Sequence, residues 1–403
     1  MVHLDLLAAK YRTRLARRPQ LTSLHIFVVT LRCEHSCAYC QVSRVSEDRT
    51  AFDMTPEMAY RAIAIMLEGP ADRLKVEFQG GEPLFNFELI RHIVHRVETL
   101  KGARDIAYVI TSNLSLLNEE ILDFCAAHKI IFSTSLDGPE ALHNLNRPRP
   151  GQNSHAKAIE GIESVRKRLG PNSISALMTT TLASLSQPEA IIDEYIERGF
   201  KEIFLRFISP YGFAVKTEKR IGYETDEFID FFKRGLAYIL DLNRKGQFIR
   251  ELYSTLLLRR ILTPYADGYV DLQNPAGIGL SVLAYNYDGD IYASDEGRML
   301  AAMNDHTFRL GNVFDHDFKQ VIAESPLLPM IEETMLEGIP GCCDCVYQPW
   351  CGSDPVFHHR TQGDPVGHMP SSAFCHRQMA IFHHLIGLLQ DPTTAKILRS
   401  WLN

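Results

Sequence analysis

Along residues 24–208 the chain alternates between short apolar runs and longer helical stretches. Runs rich in β-branched and other apolar residues, at 26–29, 74–78, 107–110, 130–136, 175–182 and 203–208, read as strands. Helical stretches separate them, at 56–67, 86–100, 118–128, 154–169 and 188–198. The punctuation agrees. Thr55-Pro56-Glu57 is a cap followed by proline at the first helical position, and Gly69-Pro70, Gly102 and Gly199 end helices. This alternation predicts an α/β chain with a parallel sheet and crossover helices. Six β/α units, fewer than the eight of a closed barrel, predict a barrel left open on one side, where a peptide could enter.

Past residue 210 the pattern changes. Residues 211–270 read as a helical linker region (227–242, then 248–262) without a site-like cluster. Residues 280–294 read as a hairpin that turns at Asp288-Gly289. A last group of cysteines lies between Cys342 and Cys375. The expected organisation is a basic arm (1–23), a barrel (24–210), the helical linker region (211–270) and a cysteine-bearing C-terminal domain (271–403).

With 403 residues the chain can hold one large α/β barrel and an appended module. Its net charge of −7 argues against nucleic acid as the main partner. Basic residues do cluster at Lys10, Arg12, Arg14, Arg17 and Arg18, as a solvated arm or as a docking site for an acidic leader peptide. That segment has no long apolar run, so neither a signal peptide nor a membrane span is expected. Nine cysteines, eight of them near the two ends, suit metal ligation in a reducing compartment, and a cytoplasmic location is expected.

The first strand runs directly into LRCEHSCAYC, where Cys33, Cys37 and Cys40 have C-x3-C-x2-C spacing. Three thiols in so short a loop can wrap one metal centre but cannot pair off as disulfides. An iron–sulfur cube takes four thiolates, so three leave one iron open to another ligand. A structural zinc knuckle or a redox trio would use the same residues. Cys125 lies on an apolar helix face and reads as core.

The loop resembles the signature of the radical S-adenosylmethionine (SAM) enzymes, C-x3-C-x-aromatic-C after the first strand of a partial (β/α)6 TIM-type barrel. The resemblance implies a [4Fe–4S] cluster on Cys33, Cys37 and Cys40, with SAM chelating the open iron and yielding a hydrogen-abstracting 5′-deoxyadenosyl radical. Gln79-Gly80-Gly81-Glu82-Pro83 resembles the family's GGEP motif, which implies that Gly80, Gly81 and Glu82 hold the SAM amine. Ser112, Asn113 and Ser135 match positions around the ribose and carboxylate, Arg147 the carboxylate's partner and Tyr39 the aromatic beside the adenine. Arg206 faces the site or makes a salt bridge elsewhere.

Cys342, Cys345, Cys351 and Cys375 resemble the ligands of the second auxiliary cluster in the SPASM extension of peptide-maturing relatives, with zinc as the alternative occupant. At the positions of the first auxiliary cluster stand Asn274, Ser294 and Pro355, so one auxiliary [4Fe–4S] cluster is expected and Cys343 is spare. Asp295 sits where some relatives place a proton acceptor, and reads equally as a surface residue. Two phrases, TLRCEHSCAYCQVSR and QPWCGSDPVFHHRTQGDPVGH, resemble maturases of His-Xaa-Ser repeat peptide systems.

The function these features imply is hydrogen abstraction from a ribosomally made precursor peptide and formation of an intramolecular crosslink. The implied partners are that peptide and an external electron donor, with a second maturase as a further candidate. Sulfatase-type maturation and peptide epimerisation use the same cofactors. The alternative outside enzymes is a non-catalytic iron–sulfur or zinc scaffold or electron carrier.

Overall fold

The computed structural model describes residue 9, residues 21–265 and residues 268–402. Lys10, Arg12, Arg14, Arg17 and Arg18, and with them most of the expected arm, lie outside the described residues.

Five parallel strands, β1 (Leu24–Thr30), β2 (Arg73–Gly80), β3 (Asp105–Thr111), β4 (Ile131–Ser135) and β5 (Ile174–Leu177), lie side by side in chain order. β1 is central and buried on both faces, which accounts for its unbroken apolar run. The helices between them are α1 (Pro56–Glu68), α2 (Phe87–Leu100), α3 (Glu119–Ala127), α4 (Glu140–Asn146) and α5 (Ser154–Leu169), followed by α6 (Pro188–Glu197) after β5. Thr55 caps α1 by accepting from the Met58 amide, with Pro56 at the first helical position, as the sequence predicts. α4 was not legible, because seven residues carry too little periodicity.

The sixth unit departs from expectation. Only β6 (Glu202–Ile203) is a strand, and it pairs with β7 (Arg250–Glu251) in a separate two-stranded sheet. The amides that would continue the ladder have other acceptors. Leu205 N–H donates to Glu251 Oε1 (3.2 Å) and Ile208 N–H to the Tyr223 hydroxyl (2.9 Å). One backbone bond, Thr180 N–H to the Arg206 carbonyl (2.9 Å), still joins this segment to the chain leaving β5.

The region read as a linker forms α7 (Phe213–Ile221), α8 (Thr225–Arg244) and α9 (Leu252–Leu262). α8 buries Phe228, Phe231, Phe232, Leu236 and Ile239, and so joins the outer helical layer. The expected hairpin is present as β8 (Val282–Tyr285) and β9 (Asp290–Tyr292), with β10 (Arg309–Asn312) beyond it. β8 pairs parallel with β1 (Leu24 opposite Val282), so a single sheet, ordered β10-β9-β8-β1-β2-β3-β4-β5, runs across the 210/271 boundaries expected from sequence.

The chain continues through α10 (Asp295–Ala301), α11 (Leu327–Glu333), α12 (Pro355–Gln362), α13 (Ala373–Leu388) and α14 (Pro392–Ser400). Among the described residues no helix is long and apolar enough to cross a membrane.

Candidate active site

The cysteine loop leaves the C-terminal end of β1, the end at which α/β sheets place ligands. It is pinned on several sides. Arg32, just before Cys33, forks onto Asp53 (Nε–Oδ1 2.8 Å, Nη2–Oδ2 2.7 Å) and reaches the Phe85 carbonyl (2.9 Å). Backbone amides of Cys33, Ser36 and Ala38 donate to the carbonyls of Val45, Pro148 and Asn146, and Phe213 N–H donates to Cys40. So fixed a loop can hold its thiols ready for a metal group before that group arrives.

Burial, followed by Glu34, Cys37 and Glu82, raises the Cys33 thiol far above its ordinary value, and burial pushes Cys37 up to about 11. Sulfurs so placed need a cationic centre to become thiolates. One set of three ligating side chains among the described residues has its donor atoms within 4.8 Å of one another, namely Cys33, Glu34 and His35. Three thiols in one loop suit a polynuclear cluster, with each thiolate on its own iron.

Glu82 is fully buried, and burial, then Glu34, pushes it up to about 7. Its Oε1 accepts from Leu84 N–H (3.1 Å) and Ser112 Oγ (2.8 Å), and its Oε2 from Asn113 N–H (2.7 Å). It thereby ties the loop after β2 to the loop after β3. Gly80 and Gly81 serve a close approach of backbones. A Cβ at Gly80, where φ is +145°, would lie 1.9 Å from the Thr30 carbonyl oxygen, and one at Gly81 2.4 Å from that of Arg32. The two glycines therefore press on the root of the cysteine loop.

Tyr39, Asp137 and Arg147 form a buried knot beneath the loop. The Tyr39 hydroxyl lies within hydrogen-bond distance of both Asp137 carboxylate oxygens and accepts from Arg147 Nη1 (2.8 Å). Arg147 is thus already engaged, with its guanidinium also 5.9 Å over the Tyr39 ring. Ser135 ends β4, half-buried, in register with Leu177. Arg206 extends toward Gln41, next to Cys40 (3.5 Å).

The second cysteine group also comes together. Cys342, Cys345, Cys351 and Cys375 line one cavity of about 240 Å³ whose walls include Leu336, Ile339, Met369 and Phe374. Cys375 lies in the first turn of α13, where Ser372 Oγ caps its amide (3.1 Å) and the helix dipole favours a thiolate. Cys343 is exposed, against Asp344. Asn274, Ser294 and Pro355 hold structure. Asn274 donates to both Glu337 oxygens (3.1 and 3.0 Å) and accepts from Leu336 N–H, Ser294 caps α10, and Pro355 opens α12.

Asp295 is paired with Arg298, Oδ1 lying 2.9 Å from Nε and 2.8 Å from Nη2, and its side chain is 12% exposed. Asp271, Glu296 and Asp354 are grouped with Arg206, Arg377 and Tyr211, and burial raises all three carboxyls. The segments carrying Asp271 and Asp354 touch through Ser353 N–H, which donates to Gln273 (3.0 Å), and through Gly352 packed on the Asp271 carbonyl. Sequence reasoning passed over this group because its members lie apart in the chain. Asp354-Pro355 reads simply as a helix start, and that is one of its roles.

Residues 27–194 match the family profile of the radical SAM superfamily. The family's cofactors are a [4Fe–4S] cluster and SAM, and the three buried thiols of the pinned loop would suit the cluster. Among curated relatives of this chain, an uncharacterized protein of Methanocaldococcus jannaschii is 30% identical over 186 residues, 46% of the chain and 62% of that relative's length. A cysteine-type anaerobic sulfatase-maturating enzyme of Clostridium perfringens is 25% identical over 316 residues, 74% of the chain and 79% of the enzyme. A solved structure of anSMEcpe with bound AdoMet and a Cp18Cys peptide shares the fold at a TM-score of 0.75 and 17% identity, covering 94% of this chain and 99% of that one.

Proposed function

We propose that this chain is a radical SAM enzyme that modifies a ribosomally made peptide, drawing electrons from an external donor in a reducing, cytoplasmic setting. The observation that carries the proposal is the pinned loop of Cys33, Cys37 and Cys40 at the end of β1, followed by the buried Glu82 that ties the next two loops together. A peptide substrate is supported by the relative named as a sulfatase-maturating enzyme and by the similar structure holding a peptide.

When bound, the cluster and SAM supply an electron and a primary carbon radical that removes a hydrogen atom from substrate. The remaining tasks fall to the chain. Cys33, Cys37 and Cys40 hold the cluster, and Glu82 fixes Ser112 and Asn113 around the ligand. Ser135, Arg147 and Tyr39 close the far side, Arg147 and Tyr39 through the knot with Asp137. Cys342, Cys345, Cys351 and Cys375 would hold one auxiliary cluster, whose chemistry when bound would be that of an electron acceptor.

For the proton released from substrate, Asp354, in one buried acidic group with Asp271 and Glu296, is the acceptor this reading prefers. Asp295 is occupied by Arg298. Crosslink formation, with net loss of two hydrogen atoms from the peptide, is preferred to sulfatase-type maturation. The support is that Asn274, Ser294 and Pro355 stand, with structural roles, where a first auxiliary cluster would need thiols.

Anaerobic reconstitution tests the proposal. It expects about eight irons per chain, as two cubes require, and 5′-deoxyadenosine under reductant. Replacing Cys33, Cys37 and Cys40 with alanine should abolish SAM cleavage. Zinc in the first loop, or intact SAM under reductant, would remove the reading.

A further inference from the structure

A cube held by four thiolates is anionic, and its negative charge grows when it takes up an electron. Hydrogen-bond donors at its sulfurs therefore favour the reduced form and raise its potential. The walls of the four-cysteine cavity offer few such donors. Ile339, Met369 and Phe374 present apolar surface, and the amides of Gln348 and Gln378 are turned to Glu337 Oε1 (2.8 Å) and to the Tyr253 hydroxyl. One further wall residue has a nitrogen to spare.

His358 lines the same cavity from α12 and is 2% exposed, its ring edge-on to Phe357 and Phe374. Nε2 lies 2.9 Å from Ser372 Oγ, whereas Nδ1 is buried and has no partner. Burial lowers the imidazole to about 4, so the ring is neutral and carries a single N–H. Ser372 decides which nitrogen holds it. Its Oγ accepts the Cys375 amide (3.1 Å) as the cap of α13, and the side chain is closed off from water. The hydroxyl hydrogen then needs an acceptor, and His358 Nε2 is the one in reach. Nε2 is accordingly the bare nitrogen and Nδ1 bears the hydrogen. The opposite tautomer would strand the Ser372 hydrogen and leave a lone pair on Nδ1 beside the cysteine sulfurs. The acceptor for Nδ1–H has to come from outside the chain, and the sulfurs of a cluster in that cavity are acceptors of the right charge.

We propose that His358 donates its Nδ1–H to a sulfur of the auxiliary cluster and raises that cluster's reduction potential, with Ser372 as the positioning residue that fixes the tautomer. The proposal rests on the auxiliary-cluster reading above. Ser372 then serves the site twice, capping the helix that carries Cys375 and orienting the ring that faces the cube.

The experiment uses the full-length chain with Cys33, Cys37 and Cys40 replaced by alanine, so that the auxiliary cube alone is titrated with reductant and read by EPR. Two further substitutions are compared in that chain. His358→Gln reaches Ser372 but leaves no donor at the Nδ1 position, and His358→Asn supplies a donor at that position. At unchanged iron, His358→Gln should shift the reduction equilibrium about tenfold toward the oxidised form, which is about 59 mV lower for one electron, and His358→Asn less than about threefold. A shift under about twofold in His358→Gln, or an equal shift in both variants as a merely structural ring would give, overturns the proposal. If His358→Gln lowers iron uptake, pulsed EPR of the chain that keeps His358 decides. With isotope-labelled histidine, the reduced cube should show a weak coupling to a histidine nitrogen and to a proton lost in deuterated solvent, and absence of either overturns the proposal. All of these outcomes leave the auxiliary cube standing. Zinc at the four cysteines, with no EPR signal on reduction, removes the auxiliary-cluster reading and the proposal with it.

Discussion

Tyr39 holds its hydroxyl 2.9 and 2.8 Å from the two carboxylate oxygens of Asp137, inside the sequence of the cysteine loop but 98 residues away from its partner. Arg147 completes the contact from a third segment, donating to the same hydroxyl. Asp137 is fully buried and Arg147 is 8% exposed, so a charged pair is stabilised through one phenol. Burial raises the Asp137 carboxyl, against the opposing effects of Arg147 and Tyr39. The aromatic that resemblance assigns to the adenine thus has a structural duty first, clamping the loop to the ends of β4 and α4.

Tyr39→Phe keeps the ring and removes the clamp. It should destabilise the metal-free chain by about 2–4 kcal/mol, the range for a buried charged partner left unsatisfied. Denaturant unfolding of the two proteins measures it. A change below about 0.5 kcal/mol, the usual size for an inconsequential substitution, would show that Asp137 and Arg147 pair without the phenol.

Asp295 and Asp354 should separate cleanly when each becomes asparagine. Asp295→Asn strips the ion pair from Arg298, which is 1% exposed, and should cost about 2–4 kcal/mol of stability. Asp354 caps α12 through its bond from Phe357 N–H (2.9 Å), a role asparagine performs equally well, so Asp354→Asn should stay within about 1 kcal/mol of wild type. If Asp354 takes the substrate proton, modified peptide falls at least tenfold in Asp354→Asn while SAM cleavage without peptide continues. Loss of product in Asp295→Asn alone, at wild-type stability, would return the role to Asp295.

Local patterns carried the barrel well and long-range pairings poorly. Strands 26–29 and 74–78 and the capped helix after Thr55 were legible because period and punctuation are local properties. β8 joining β1 was not, since four buried residues at 282–285 do not announce a partner more than 250 positions away. The stretch 203–208 looked like a full strand because composition shows apolar content and cannot show that Glu251 and Tyr223 would claim its amides. At the site, cysteine spacing pointed to the loop. Charge placement did not point to Glu34, because an acid beside a cysteine reads as solvent-facing until Asn113 and Ser115 fold over it.

Glu251 offers a pH test away from the cluster. It is fully buried and accepts from Leu205, Tyr253 and Ser254 amides, yet burial outweighs those bonds and pushes it from the ordinary 4.5 up to about 7. Between those values the folded chain keeps a proton that the unfolded chain has lost. Its stabilising contribution is therefore complete below about pH 4.5 and declines as pH rises to about 7, by at most about 3 kcal/mol at 1.36 kcal/mol per unit. Glu82 acts with the same sign in the metal-free chain. Unfolding free energies measured from pH 5 to 8 should fall less steeply in Glu251→Gln than in wild type. Parallel curves would mean that Glu251 stays ionised in its pocket.

The four-cysteine cavity gives the last prediction, because its walls leave a metal group few alternatives. Cys342, Cys345, Cys351 and Cys375 face a space of about 240 Å³ bounded by Leu336, Ile339, Met369 and Phe374. Burial pushes Cys342 and Cys351 each up to about 12, so the empty site would hold neutral thiols and take up a cationic cluster with release of protons. Cys342→Ala/Cys345→Ala should lower the iron count from about eight to about four per chain, one cube instead of two. Cys343→Ser, on an exposed side chain outside the cavity, should leave the count unchanged. SAM cleavage in the absence of peptide depends on the first loop and should survive the double substitution. Peptide modification should not, because the electron left on the product has lost its acceptor. Unchanged yield of modified peptide in the double variant would strip the auxiliary site of its electron-accepting role, and stoichiometric zinc in the wild-type protein would replace the cube with a structural ion.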